Sequence, residues 1–506
     1  MTYRSLARFA LTPLLVVMLL ALGPAAFARS APESFADLAE KLLPAVVNIA
    51  TTTKITDAGR SDPDLEELFR QFFDRQRRGQ GDQNGDQNGD QNGDNGGQNG
   101  DNGGGDSGPR EATSLGSGFI IDPTGYIVTN NHVIEGAEEI TVRMQDNTEY
   151  KAKLIGHDPK TDLALLKIEA PSPLPSVEWG DSDKARIGDW VLAIGNPFGL
   201  GGTVTAGILS ARQRDINAGP YDDFLQTDAA INRGNSGGPM FNTDGKVIGI
   251  NTAIFSPSGG SIGIGFALPS SLAKGVIQQL RQYGHPRRGW LGVRIQSVTP
   301  ELAEGLKMPK PMGALIAAVT DGGPADKAGI RQGDVVIKFD NKDIDEMRHL
   351  PRIVAETAFD TSVPVVVLRQ GKEMTFQVKI GELDETAEAK TADTGAQPTK
   401  PKAPEGAKTI LGLSLAEMTE QLRQRYHIAD EAAGVVVLNV DSKSNAAGKG
   451  LKAGDVIVEV DQNSVTTPAD VEKRVAVANA NGYKVVTFLI YRQGDFQWVA
   501  VRTDQG

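Results

Sequence analysis

Short apolar segments separated by turn residues dominate the stretch from Ser114 to Leu268. Gly118-Phe119-Ile120-Ile121 leads into the turn Asp122-Pro123-Thr124-Gly125 and then Tyr126-Ile127-Val128. Similar runs occupy 163–168, 190–194, 247–250 and 262–267. Many short strands with Gly/Pro turns predict an all-β sandwich or barrel. Upstream, residues 33–53 hold an amphipathic stretch and then Ala45-Val46-Val47-Asn48-Ile49, which reads as a further strand. A helix-like patch, Leu65 to Phe73, lies in a polar loop.

A repeat governs the C-terminal half. Ala328-Gly329-Ile330-Arg331-Gln332-Gly333-Asp334-Val335 recurs 121 residues later as Lys449-Gly450-Leu451-Lys452-Ala453-Gly454-Asp455-Val456. Leu291-Gly292-Val293 recurs 120 residues later as Leu411-Gly412-Leu413, and 313–319 and 434–440 are matching apolar strands. Two homologous modules therefore stand in tandem. They are bounded at 285–383 and 409–506, with a linker rich in Ala, Thr, Lys, Glu and Pro at 384–408.

Composition sharpens this picture at three places. Residues 79–108 are a Gly/Asp/Asn/Gln tract that cannot bury apolar surface, which predicts disorder. Its spaced aspartates raise weak calcium binding as an alternative, but the spacing and closing Glu of an EF-hand loop are missing. Arg4 and Arg8, the apolar run Leu11 to Gly23 and Ala26-Phe27-Ala28 form a signal peptide at 1–28, cut after Ala28. The run is shorter than the ~20 residues of a spanning helix, which sets a membrane anchor aside. Without the two arginines the charge moves from −12 to −14. An acidic chain with a pI near 5.1 is a poor partner for nucleic acid or an anionic membrane. No cysteine is present, which excludes disulfides, thiolate catalysis and Cys-based metal sites.

The sharpest chemical signal is Gly234-Asn235-Ser236-Gly237-Gly238-Pro239. A serine hydroxyl needs a base within reach and donors for the oxyanion it creates. Glycines let the backbone aim N–H groups at one point, here those of Gly234 and Ser236. Taken alone, the segment also reads as a plain turn. The base must come from five histidines. His157 follows a turn glycine, His285 lies at a domain junction, and His349 and His427 lie inside the repeated modules. His132, in Thr129-Asn130-Asn131-His132-Val133, follows a strand. Asp162 opens the apolar strand Leu163-Ala164-Leu165-Leu166, where a carboxylate can orient an imidazole. The alternative for Asp162 is an exposed turn residue.

These stretches, with Gly116-Ser117-Gly118-Phe119-Ile120, Gly195-Asn196-Pro197-Phe198-Gly199 and Thr227-Asp228-Ala229-Ala230-Ile231-Asn232-Arg233, resemble the HtrA (Deg) serine proteases. The resemblance runs from Gly116 to Pro269, and the tandem modules extend it over nearly the whole mature chain. It implies a mainly β chain: a chymotrypsin-like double barrel at 29–284, then two PDZ-like domains. It implies a triad of His132, Asp162 and Ser236, with Gly234 and Ser236 as oxyanion donors. Substrate would contact Gly234, Asn235 and Ser236. It would add as a strand along Thr252, Ala253, Ile254, Phe255 and Ser256. Ala230, six residues before the serine, would lie at the base of the specificity pocket, favouring small or medium aliphatic side chains. Ile254 and Phe266 would wall it.

By the same resemblance, Leu291, Gly292 and Val293, and Leu411, Gly412 and Leu413, would hold peptide C-termini. Assembly is the alternative role for the second module. The loops at 196–202, 212–223 and 255–265 would order the oxyanion site when a peptide binds the first module. The family implies a periplasmic homotrimer or larger oligomer that degrades misfolded exported proteins without ATP. Chaperone action on unfolded envelope proteins is the alternative. No cofactor or metal is expected, for there is no phosphate-binding loop and the histidines lack ligand spacing. The 79–108 insertion departs from the family pattern in a loop that reaches partner subunits in DegP-like members.

Overall fold

A computed structural model describes residues 32–55, 110–197, 201–232, 234–256, 260–383, 408–430 and 432–503. The signal peptide, the 65–73 patch, the 79–108 tract and all of the 384–408 linker except Lys408 lie outside the described residues.

After helix α1 (Ala36–Leu42), six strands form a closed barrel. They are β1 (Val46–Ile55), β2 (Arg110–Asp122), β3 (Tyr126–Thr129), β4 (Glu139–Arg143), β5 (Glu149–Asp158) and β6 (Leu163–Ile168). The short helix α2 (Asn131–Ile134) leaves the end of β3. A second closed barrel comprises β7 (Trp190–Gly195), β8 (Thr203–Arg214), β9 (Phe224–Thr227), β10 (Pro239–Asn242), β11 (Val247–Ile254) and β12 (Gly265–Pro269). Helix α3 (Ser270–Tyr283) follows it.

The continuous apolar runs make sense once both strand faces are seen to be buried. Side chains alternate across a strand. Val47 and Ile49 fill the first barrel, and Val191 and Ala193 fill the second. Their neighbours Val46, Leu192 and Ile194 join Leu163, Leu165 and Leu268 in a core shared by both barrels. Leu272, Ala273, Ile277 and Leu280 of α3, spaced for one helical face, seal that core. Truncating fully buried Leu165 to alanine would cost about 2–5 kcal/mol. Gly284, at φ 79°, caps α3 and turns the chain toward the next domain.

The first repeated module contains β13 (Gly289–Trp290), β14 (Val293–Ser297), α4 (Pro300–Gly305), β15 (Ala314–Val319), α5 (Pro324–Ala328), β16 (Val335–Phe339) and β17 (Lys342–Asp343). It ends with α6 (His349–Glu356), β18 (Ser362–Arg369), β19 (Lys372–Lys379) and β20 (Gly381–Glu382). The second contains β21 (Lys408–Ile410), β22 (Leu413–Glu417), α7 (Glu420–Tyr426), β23 (Val435–Val440), α8 (Asn445–Gly448), β24 (Val456–Val460), β25 (Asn463–Ser464), α9 (Pro468–Ala480), β26 (Val485–Arg492) and β27 (Asp495–Arg502).

The repeated Gly-Asp pair has a structural reason. Asp334 takes both prongs of the Arg369 guanidinium at 2.6 and 2.7 Å, and Asp455 takes those of Arg492 at the same distances. Both aspartates are buried, and the forked geometry satisfies them. The modules also pack on each other. Trp498 of the second is 1% exposed, sits among Leu315, Ala317 and Ile337 of the first, and donates its indole N–H to the Ile316 carbonyl at 3.1 Å.

Candidate active site

The loops carrying His132, Asp162 and Ser236 are laced to one another. Asp162 adopts a left-handed φ of 55° just before β6. Its Oδ1 accepts the His132 backbone N–H at 2.9 Å, and its Oδ2 lies 2.7 Å from His132 Nδ1. Its carbonyl accepts Asn131 N at 3.1 Å and Asn130 Nδ2 at 2.8 Å. One residue thus fixes the α2 backbone and the imidazole ring together. Among the described residues, no other histidine forms an ion pair with a carboxylate. His157 bonds Asn131 Oδ1 at 2.7 Å and His285 bonds the Pro286 carbonyl at 3.2 Å.

The electrostatics of His132 follow from that contact. Burial is the largest single influence and works against the imidazolium. The Asp162 charge, the hydrogen bond to it and the charge of Glu135 together outweigh burial, so the His132 pKa is raised above 6.5.

Ser236 is tied to the same place through Ser117 of β2. Ser117 N donates to the Ser236 carbonyl at 2.9 Å, and Ser117 Oγ donates to the Gly234 carbonyl at 2.5 Å. Ser117 Oγ also accepts Asn196 N at 2.8 Å, while the Ser117 carbonyl accepts Thr129 Oγ1 at 2.7 Å. Thr129 is three residues before His132, so the serine loop and the histidine loop share one bracket. Gly237, at φ 83°, passes so close that a Cβ would collide with the Ser117 carbonyl and Thr129 Oγ1. Gly234, at φ 90°, packs on Pro197. Asn235 is buried, and its N–H donates to the Asn232 carbonyl at 3.0 Å. Among the described residues, neither the Gly234 nor the Ser236 N–H donates to a protein group. In the sequence the one local mark of Ser117 is its place inside a Gly-Ser-Gly triplet, where backbones can approach closely.

The proposed substrate strand borders this loop. β11 pairs with β12 over Gly249–Ile254 but with β10 only over Val247–Ile250. Beyond Ile250 that edge carries no strand among the described residues, and it starts beside the serine loop: Gly237 N donates to Asn251 O at 2.8 Å. Thr252, at a register shift, lies within 3.4 Å of Asn130 Nδ2. Ala253 and Ile254 continue the edge, followed by Phe255, whose N–H bonds the Ile264 carbonyl at 3.0 Å, and Ser256. Ala230 is partly buried, with its carbonyl taking Thr205 Oγ1 at 2.9 Å. The expected pocket walls need correcting. Ile254 packs with Ala229 and Ile231 inside the second barrel, whereas Phe266 faces the shared core beside Phe224. Strand alternation puts them on opposite faces, so they do not wall one pocket.

Comparison with known proteins places this architecture. Residues 116–250 match the model of the trypsin-like peptidase domain, and 289–380 and 410–503 match that of the PDZ domain. The chain is 41% identical over 489 residues to a Rickettsia conorii protein named "Probable periplasmic serine endoprotease DegP-like", covering 95% of this chain and 91% of the relative. A Pseudomonas fulva protein of the same name is 41% identical over 495 residues, covering 95% and 96%. The chain belongs to the DegP-like, HtrA-type serine endoproteases. A solved structure of the HtrA-type protease AlgW with a decapeptide is 39% identical, covers 69% of this chain and 99% of its own, and superposes with a TM-score of 0.53.

This DegP-like chain is therefore a serine endopeptidase with a chymotrypsin-like double barrel and two PDZ domains. Among its described residues, no helix is long and apolar enough to cross a membrane.

Leu291 is buried in the first PDZ core, Gly292 takes a φ of 77°, and Val293 opens β14. Leu411 and Gly412 form the turn between β21 and β22, and Leu413 opens β22. The first PDZ domain also touches the protease barrels. Arg352 of α6 pairs with Asp223, and Arg348 lies 3.7 Å from Asp215. Both acids sit in or beside the 212–223 loop.

Proposed function

We propose that Ser236 attacks the peptide carbonyl while His132 takes its proton and passes one to the leaving amine. Asp162 holds the ring and balances the imidazolium, and the Gly234 and Ser236 amides receive the oxyanion. Water then hydrolyses the acyl-enzyme. The observation that carries this reading is the 2.7 Å contact between His132 Nδ1 and Asp162 Oδ2, on a loop bracketed by Ser117 to the serine turn. Substrate would add as a strand along 252–256, with small or medium aliphatic side chains facing Ala230.

In this reading the enzyme is a periplasmic homotrimer or larger assembly, cleaved after Ala28, that degrades misfolded exported proteins. Peptide C-termini docked at Leu291, Gly292 and Val293 would favour the ordered state of the 196–202, 212–223 and 255–265 loops. The Arg352–Asp223 pair is a physical route from α6 to the second of them. Ser236→Ala should abolish casein turnover by roughly 10⁶-fold, as removal of other triad serines does, while peptide binding persists. Near-wild-type cleavage by that variant overturns the assignment.

A further inference from the structure

The two PDZ domains share an order of elements but treat one sheet edge differently. In the first, β14 is an edge strand: it pairs with β15 and, among the described residues, with nothing on its other side. The residues before it, β13, turn away to pair with β20. In the second, β22 is paired on both sides, with β23 and with β21.

β21 pairs Lys408 with Leu415, Thr409 with Ser414 and Ile410 with Leu413. Leu411 and Gly412 link the strands at φ 49° and 78°, the double positive φ of a type I′ hairpin. At the matching point of the first domain only Gly292 has positive φ, so there the chain does not fold back. Ile410 packs on the cluster of Leu413, Leu415, Val471 and Val475, which joins β22 to α9. Lys408 Nζ reaches Glu472 of α9 at 2.6 Å. Backbone pairing and an apolar side chain seated against the helix are what strand addition demands of a peptide, and the Lys408 charge contact adds to them. The direction matches too: β21 runs antiparallel to β22, and its C-terminal end meets the Leu411-Gly412 loop.

We infer that the second PDZ groove is filled in cis by Lys408-Thr409-Ile410. The inference rests on the reading of the PDZ domains as peptide binders. At rest the chain then offers one open groove, that of the first domain. The second is a latent site for an extended peptide strand, opened only when 408–410 leaves. A ligand tethered by two residues acts at millimolar or higher effective concentration, so a free peptide making the same contacts at micromolar levels does not displace it.

Hydrogen exchange on full-length Ser236→Ala, with and without a saturating mixture of decapeptides ending in Val, Ile or Leu, tests this. Segment 293–297 should exchange fast alone and slow on peptide addition. Segment 413–417 should be protected without peptide and unchanged by it. With Ile410→Asp added, 413–417 should exchange fast alone and slow with peptide, while β26 stays protected. If β26 loosens, the milder Ile410→Ser replaces it. Fast exchange at 413–417 in the unliganded parent, further slowing there by peptide, or protection that survives both Ile410 changes overturns the inference. Silence at 293–297 sinks instead the reading of these domains as peptide binders, since cis occupancy is scored by 413–417 alone.

Discussion

Arg288 and Asp158 form an ion pair with side chains only 5% and 1% exposed. Asp158 ends β5, four residues before Asp162, and also accepts Thr161 Oγ1 and, at 3.1 Å, Lys160 N. Arg288 immediately precedes β13, where the PDZ match begins; its carbonyl takes Leu383 N at 2.9 Å, and its guanidinium lies 4.8 Å from the Tyr221 ring. The joint between protease and PDZ domains is therefore built onto the turn that presents Asp162.

Removing one partner of such a pair leaves an uncompensated buried charge, at a cost of about 3–5 kcal/mol. Arg288→Ala should lower the protease domain's unfolding free energy, read from denaturant titration, by that order, and the double change Asp158→Leu with Arg288→Met should lose much less. A single variant as stable as the parent would show the pair to be dispensable.

The proposed general base should report its environment in a pH profile. Because the His132 pKa is raised above 6.5 and only the neutral ring accepts a proton, kcat/KM should fall as pH drops through a value above 6.5. Asp162→Asn removes the charge and leaves burial to dominate. The acid limb should then move below 6.5, with kcat down by about 10⁴-fold. An unmoved limb argues for a different base.

Much of this was legible in the chain. The double-faced apolar strands, the repeated Gly-Asp modules and the glycine-framed serine each carry a local signal that survives folding. What escaped depends on contacts between distant parts of the chain. Helix α3 is one amphipathic segment after a long β region, and nothing local marks the core it seals. Residues 262–267 read as a strand, yet the strand is Gly265–Pro269 and Ile262 is half exposed. Lys408 looks like linker by composition and becomes a strand only because β22 stands ready to pair with it. Arg288 and Asp158 are single charges 130 positions apart, and only the tertiary fold brings them together.

Ser117 should act on rate rather than on substrate affinity. Ser117→Ala removes the bond to the Gly234 carbonyl and strands the buried Asn196 N–H. The serine turn would loosen without losing the substrate edge. We expect kcat to fall about 10- to 100-fold, the scale of small misplacements at a catalytic group, with KM and the pH profile little changed. A rise in KM at constant kcat contradicts a positioning role.

Asp222 gives the 212–223 loop a pH dependence of its own. Its Oδ2 accepts Ile216 N at 3.0 Å and Ala218 N at 2.9 Å. Burial, opposed by those bonds and reinforced by Asp215, pushes its pKa from 3.8 up to about 6. An acid raised on folding binds more protons in the native state between those values. The stability it contributes is thus complete below 3.8 and lost as pH rises through about 6. Asp222→Asn keeps an oxygen for both N–H groups and discards the charge. It should raise Tm at pH 7.5 on the order of 2 °C, with the gain shrinking at pH 5. Scanning fluorimetry at both values decides the matter: no gain at pH 7.5, or a larger one at pH 5, means that the loop does not disfavour the ionised carboxylate.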